Sequence, residues 1–125
     1  MGSLEGCRVL VIEDEYFLAD DLKKGLEARG AKVVGPIADL HAAQNQVSRD
    51  SFDVALIDLK LSDEFAWSVA DDLMREEIPF AFVTGYGAER IPQRFRHVRR
   101  WEKPCDITRL AEDIRLLCAG SKKTQ

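Results

Sequence analysis

The sequence predicts an α/β domain built on a doubly wound, five-stranded parallel sheet with helices on both faces. Three observations carry that prediction. Short apolar runs alternate with segments of helical period, and the alternation repeats five times. The runs 9–12, 54–57 and 80–83 are apolar at every position, as strands become when helices cover both faces of a sheet. Connections of this length between successive strands imply right-handed crossovers.

Each element has its own signal. Val9 to Ile12 is the first strand. Leu18, Leu22 and Leu26 recur every four residues and form one stripe of a first helix, which Gly30 ends. Val33 and Val34 make a shorter second strand, closed by Gly35-Pro36. Ala42, Ala43 and Val47 mark a second helix, followed by the third strand at Val54 to Ile57. Val69, Ala70 and Leu73 mark a third helix, stopped by Pro79 ahead of the fourth strand at Phe80 to Val83. Ile91-Pro92 interrupts the next segment and leaves a fourth helix in doubt. The fifth strand, the weakest, precedes Lys103. Ile107, Leu110, Ala111, Ile114, Leu117 and Cys118 form the clearest stripe, a C-terminal helix running to Gly120 before a polar tail.

Composition narrows the class. With 46% apolar residues, 125 residues suffice for one core and leave no room for a second. The domain is expected over residues 7–119, with flexible ends at 1–6 and 120–125. A net charge of -4 disfavours a nucleic-acid partner, since a phosphate backbone would be repelled. No run approaches the ~18 apolar residues that cross a bilayer, and the start lacks an apolar signal segment. A cytoplasmic protein is expected, with no membrane partner. Cys7, Cys105 and Cys118 are odd in number and share no Cys-x-x-Cys spacing, so three reduced thiols are expected. His41 and His97 are isolated and lack metal-ligand spacing.

In open parallel sheets, sites form beyond the carboxyl ends of the strands. Those positions hold Glu13-Asp14-Glu15 after the first strand, Asp58 after the third, Thr84 after the fourth and Lys103-Pro104 after the fifth. With the first strand between the second and third, these groups converge on one rim. Clustered carboxylates repel unless a cation intervenes. Hard oxygen ligands around an open position suit Mg²⁺, which pairs with phosphate oxygens. An ammonium and a hydroxyl opposite suit the remaining phosphoryl oxygens. The residues therefore point to Mg²⁺-dependent phosphoryl transfer with an aspartate nucleophile.

Val-Leu-Val-Ile-Glu-Asp-Glu (9–15), Asp-Val-Ala-Leu-Ile-Asp-Leu (53–59), Phe-Val-Thr-Gly (82–85) and Glu-Lys-Pro (102–104) together resemble the motif set of bacterial response-regulator receiver domains. The likeness runs from about Cys7 to Cys118. Phe-Ala-Phe-Val-Thr-Gly-Tyr-Gly (80–87) further resembles an alphaproteobacterial receiver subgroup whose fourth-strand motif ends in Thr-Gly-aromatic. Many members of that subgroup are free-standing receivers or serve general stress signalling. The resemblance implies a flavodoxin-like (βα)5 fold with strand order 2-1-3-4-5. It also implies a single-domain response regulator whose Asp58 accepts a phosphoryl group from a histidine kinase or phosphotransferase. Asp14, Asp58 and the backbone carbonyl of Lys60 would bind Mg²⁺ directly, and Glu13 through water. Thr84 and Lys103 would clamp the acyl phosphate. Transfer and dephosphorylation would be self-catalysed, so the chain would not be an enzyme in the ordinary sense.

Taken singly, these residues have plainer readings. Asp58 and Asp14 are ordinary caps or turn acids, Glu15 is a first-turn acid near a helix dipole, Thr84 a strand threonine and Lys103 a surface lysine. The sequence also departs from the family pattern. Arg100 stands three residues before the lysine, where a switch aromatic is usual, and Trp101 faces the opposite side of its strand. Tyr86 is then the candidate for the mobile ring. Ser62 and Ala66 replace a common proline and glycine after the acceptor, which leaves that loop less constrained. Arg90, Arg94, Arg96, Arg99 and Arg100 read either as a solvated face or as a docking patch for an acidic effector.

Three rival functions share parts of this pattern. A pseudo-receiver, an interaction module that is never phosphorylated, typically loses the acidic pair, the aspartate or the lysine; none is lost here. A haloacid-dehalogenase-like phosphatase needs an acid where Lys60 stands. A flavodoxin-like electron carrier needs a phosphate-binding loop where Glu13-Asp14-Glu15 would repel its ligand.

Overall fold

The computed structural model describes residues 3–49 and 52–123. The chain begins with β1 (Arg8–Ile12), α1 (Tyr16–Glu27), β2 (Lys32–Ile37), α2 (Leu40–Val47) and β3 (Val54–Ile57). A small hairpin follows, β4 (Lys60–Leu61) and β5 (Glu64–Phe65), then α3 (Trp67–Arg75) and β6 (Phe80–Thr84). Two 3-10 turns, Ala88–Arg90 and Gln93–Phe95, lead to β7 (Arg100–Glu102) and α4 (Ile107–Lys123). The five long strands form one parallel sheet in the order β2-β1-β3-β6-β7, which is the predicted 2-1-3-4-5 arrangement with the hairpin added.

The apolar runs explain the layering. Every residue of β3 and β6 is buried, as are all of β1 but Arg8. Because strand side chains alternate, each run feeds two cores. Leu10, Ile12, Ala55, Ile57, Phe80 and Phe82 pack with α2 and α3 through Ala43, Val47, Val69, Ala70 and Leu73. Val9, Val11, Val54, Leu56, Ala81 and Val83 pack on the other face with Leu22 and Leu26 of α1 and Leu110, Ala111 and Ile114 of α4. Each large apolar side chain buried this way contributes about 1.5–3 kcal/mol.

Several expectations are corrected by the structure. The second strand does not close at Gly35-Pro36 but continues to Ile37. Its pairing with β1 slips between Leu10 and Ile12, and Gly35 takes a φ of +100° there. An edge strand tolerates this, since proline's missing N–H costs nothing on an unpaired side. The last helix likewise runs past Gly120. That glycine lacks the left-handed conformation that ends helices, and within a helix it costs only about 1 kcal/mol relative to alanine. Gly30, by contrast, has φ +101° and does follow the end of α1.

The segment before β7 forms no continuous helix. Its two 3-10 turns flank Ile91-Pro92 and are anchored by Ile91 and Phe95, both buried. The Phe95 ring stacks on Trp67 at 5.9 Å and meets Phe82 edge-on at 6.2 Å. At the N-terminus Leu4 is buried, and its N–H donates to the Arg29 carbonyl at 2.8 Å. Residues 1–2 and 124–125 of the expected flexible ends lie outside the described residues.

The expectation of three reduced thiols is corrected too. Cys7 and Cys118 are disulfide-bonded with Cα atoms 6.3 Å apart, and Cys105 is free. Spacing along the chain gave no hint of this pair. It arises because α4 packs over the start of β1. Among the described residues, no helix is long and apolar enough to cross a membrane.

Candidate functional site

Parallel pairing delivers the predicted acids to one rim. Asp58 directly follows β3 and its N–H donates to the Ile12 carbonyl at 2.9 Å, which continues the β1–β3 ladder and sets Asp58 beside the end of β1. Glu13 follows β1, donates its N–H to the Ile37 carbonyl at 2.9 Å and is 2% exposed. Asp58 is also buried, whereas Asp14 is exposed and its Oδ2 accepts from the Ser62 N–H at 2.6 Å. Lys103, just past β7, is held by its N–H bond to the Thr84 carbonyl at 2.9 Å, and the Lys103–Pro104 peptide is cis.

From that position the Lys103 ammonium donates to Asp58 Oδ2 at 3.0 Å, Glu13 Oε2 at 3.2 Å and Glu15 Oε1 at 3.4 Å. Glu15 is the member that sequence reading assigned to the helix end alone. Its signal was adjacency to Glu13, and its N–H also donates to Glu13 Oε2 at 3.0 Å. Thr84 is fully buried at the end of β6, and its Oγ1 accepts from the Tyr86 N–H at 3.0 Å. Lys60 opens the β4–β5 hairpin, and its N–H approaches Asp58 Oδ1 at 3.4 Å. That hairpin constrains a stretch expected to be loose. Its turn places Ser62 at φ +55°, where the residue's N–H reaches Asp14.

Burial, with the Asp58 charge next, pushes the Glu13 carboxyl up to about 7. For Lys103, burial disfavours the ammonium, but the hydrogen bond and charge of Asp58, then Glu13, outweigh it and hold the group above its ordinary value. One ammonium thus faces three carboxylates. Ligand oxygens from Glu13, Asp14 and Asp58 lie within 4.8 Å of one another, and Glu13 Oε1 is buried with no hydrogen-bond partner. A set of hard oxygen donors with one lone pair unused fits a divalent cation such as Mg²⁺.

No protein-family model matches the chain. A curated relative, the sensory transduction protein LytT of Bacillus anthracis, is 29% identical over 82 residues, covering 63% of this chain and 33% of that protein. The chain therefore matches about a third of that relative's length. Among solved structures, a CheY-like response regulator receiver domain protein from Methanospirillum hungatei superposes with a TM-score of 0.82 at 22% identity, covering 95% of this chain and 98% of that one. SdrG from Sphingomonas melonis gives a TM-score of 0.76 at 29% identity, over 93% and 99% of the two chains. The fold is the receiver fold.

Within that receiver frame the aromatic and basic departures find their places. Trp101 packs against the α1/α4 core and its Nε1 donates to Asp113 at 2.7 Å, so it faces away from the α3 side as predicted. Tyr86 is half-buried between Phe65, 5.9 Å away, and the Arg90 guanidinium, 5.5 Å from the ring centre. Arg100 donates to the Tyr86 carbonyl at 3.4 Å and pairs with Glu102 at 3.0 Å. Arg94 grips Asp71 of α3, Arg99 grips Asp113 of α4, and Arg96 donates to the Ile91 carbonyl. Acids of the receiver itself thus engage three of the five arginines.

Proposed function

We propose that this chain is a phosphorylation-controlled signalling domain of a bacterial two-component pathway in the cytoplasm, with Asp58 as phosphoacceptor. The observation that carries the reading is the Lys103 ammonium held between Asp58 and Glu13 beside an unpartnered, buried Glu13 oxygen. A carboxylate oxygen of Asp58 attacks the phosphorus of a phosphohistidine on a kinase or phosphotransferase. The phosphorus–nitrogen bond breaks, and its electron pair leaves with the imidazole, which is reprotonated from solvent. Lys103 offsets charge on the transferred group, and the Thr84 hydroxyl, whose oxygen accepts from the Tyr86 amide, supplies its own O–H as a second donor. Asp14, Asp58 and the Lys60 carbonyl would hold Mg²⁺ directly and Glu13 through water; when bound, the ion neutralises phosphoryl oxygens.

Tyr16 and Phe17, exposed and in edge-to-face contact at 5.3 Å, open α1 next to the acids and offer the donor an apolar footing. Rotation of the Thr84 hydroxyl toward the phosphoryl group draws its oxygen away from the Tyr86 amide and frees Tyr86 to move. The ring thereby changes the surface between Arg90 and Arg100, where an effector docks. The strand motif 80–87 supports the alphaproteobacterial receiver subgroup as its kin.

The test is incubation with acetyl phosphate and Mg²⁺, wild type beside Asp58→Asn, read by intact mass. The expected result is one phosphoryl group on the wild type and none on the variant. A wild type that stays unmodified overturns the reading in favour of a non-phosphorylated pseudo-receiver.

A further inference from the structure

The Cys7–Cys118 pair lies at the opposite end of the sheet from Asp58, because Cys7 precedes β1 and Asp58 follows its parallel neighbour β3. Both cysteines are 3% exposed, yet they line a surface cavity of about 170 Å³ together with Ser3, Glu5, Arg115 and Ala119. A small thiol or disulfide reagent therefore has an approach to the bond. Asp53 places a carboxylate oxygen within 4.8 Å of both sulfurs, but Arg8 compensates its charge through bonds of 2.9 Å from Nη2 and from the backbone N–H.

The fold does not need the bond to bring these elements together. Leu4, Val9, Val11, Leu22, Leu26, Leu110 and Ile114 bury α1 and α4 against the sheet in the same cluster. A buried thiol is itself a small apolar group and leaves that packing intact. Dithiol and disulfide forms are both compatible with one native state, differing in whether the end of α4 is stapled. That helix also carries Asp113, which holds Arg99 and, within β7 two residues ahead of Lys103, Trp101.

We propose that Cys7 and Cys118 form a reversible thiol–disulfide exchange site for a low-molecular-weight disulfide such as glutathione disulfide, stapling the last turns of α4 to the segment ahead of β1. One cysteine thiolate attacks glutathione disulfide, forming a mixed disulfide and releasing one glutathione thiolate, which takes up a proton. The second cysteine thiolate then attacks the protein sulfur of the mixed disulfide, closing the internal bond and releasing the second glutathione. Two protein thiols are oxidised and one glutathione disulfide is reduced. Excess reduced glutathione reverses both steps.

The full chain, equilibrated in glutathione buffers of defined ratio, is quenched in acid, denatured, alkylated and weighed intact. In excess glutathione disulfide Cys105 alone is expected to carry the alkyl label or a glutathione, and in excess reduced glutathione all three cysteines are alkylated, with no retained glutathione at Cys7 or Cys118. The oxidised form should melt about 10 °C above the reduced form, with the same far-UV circular dichroism for both, and Cys118→Ser should abolish the difference. Three alkylated cysteines at every ratio would overturn the proposal. So would one alkylated cysteine even in excess reduced glutathione, a stable glutathione adduct on Cys7 or Cys118, or unfolding on reduction.

Discussion

Lys103 Nζ and Asp58 Oδ2 are separated by 45 positions in sequence and 3.0 Å in space. The contact exists because β3 and β7 flank β6 in parallel, so residues just past each strand reach the same rim. Replacing the lysine removes the ammonium shared by Asp58, Glu13 and Glu15. Lys103→Met should cut acetyl-phosphate labelling at least tenfold, while Mg²⁺ affinity by calorimetry rises because a competing cation is gone. Undiminished labelling would count against the proposed role of Lys103.

The carboxylates should respond in the opposite sense. Asp14→Asn removes one of the three clustered acids and should weaken Mg²⁺ binding about tenfold or more, with little change in thermal midpoint because the residue is exposed. Calorimetric titration of the variant checks this directly.

Tyr86 is tied to the proposed phosphate site through the Thr84 hydroxyl and to the basic segment through Arg90 and Arg100. Tyr86→Ala should still accept one phosphoryl group but lose most of the amide chemical-shift changes that beryllofluoride produces across residues 88–102. An unchanged response there would remove Tyr86 as the mobile ring.

Phe95 is fully buried against Trp67, Phe80 and Phe82, where it anchors the turns that stand in place of a helix. Phe95→Ala should cost about 3–5 kcal/mol in denaturant unfolding, as large aromatic truncations in cores do. Amide exchange should accelerate first over residues 88–98.

Arg94 meets Asp71 through two parallel bonds of 2.9 and 3.0 Å, and that hydrogen bond holds the Asp71 carboxyl below its ordinary value. A carboxyl depressed in the folded state stabilises the fold above its unfolded pKa, and the contribution fades as pH falls through the lower folded value. Both side chains are largely solvated, so the effect is small and screened by salt. Arg94→Ala should therefore lower the thermal midpoint slightly at pH 7 in low salt, and leave it unchanged in 1 M salt or in strong acid. In the same low salt, Arg94→Glu with Arg96→Glu should weaken capture of an acidic effector, and unchanged capture would remove this surface as its docking site.

Which parts of the molecule were legible follows from the range of the forces involved. β1, β3 and β6 announce themselves because burial on both faces leaves no polar position in the run. Glu13, Asp14, Asp58 and Lys103 were legible because the topology of parallel strands fixes where strand ends go. The course of β2 through Pro36 was not, since only its edge position makes a proline harmless there. Nor was the pairing of Cys7 with Cys118, which depends on the seat of α4 rather than on spacing. The bond between the Ser62 amide and Asp14 was hidden for a similar reason. It requires a left-handed serine in a two-residue-strand hairpin, for which Ser62-Asp63 carries no glycine or asparagine signal.

The slip in β2 near Pro36 bears on how copies of this protein behave when concentrated. One border of the sheet is interrupted where Pro36 offers no amide proton, and the other is a strand of three residues bearing Arg100 and Glu102. Neither border is a long, straight row of free amides and carbonyls, the template on which fibrils and strand-swapped aggregates grow. Edge-to-edge pairing between crowded copies is disfavoured at both borders.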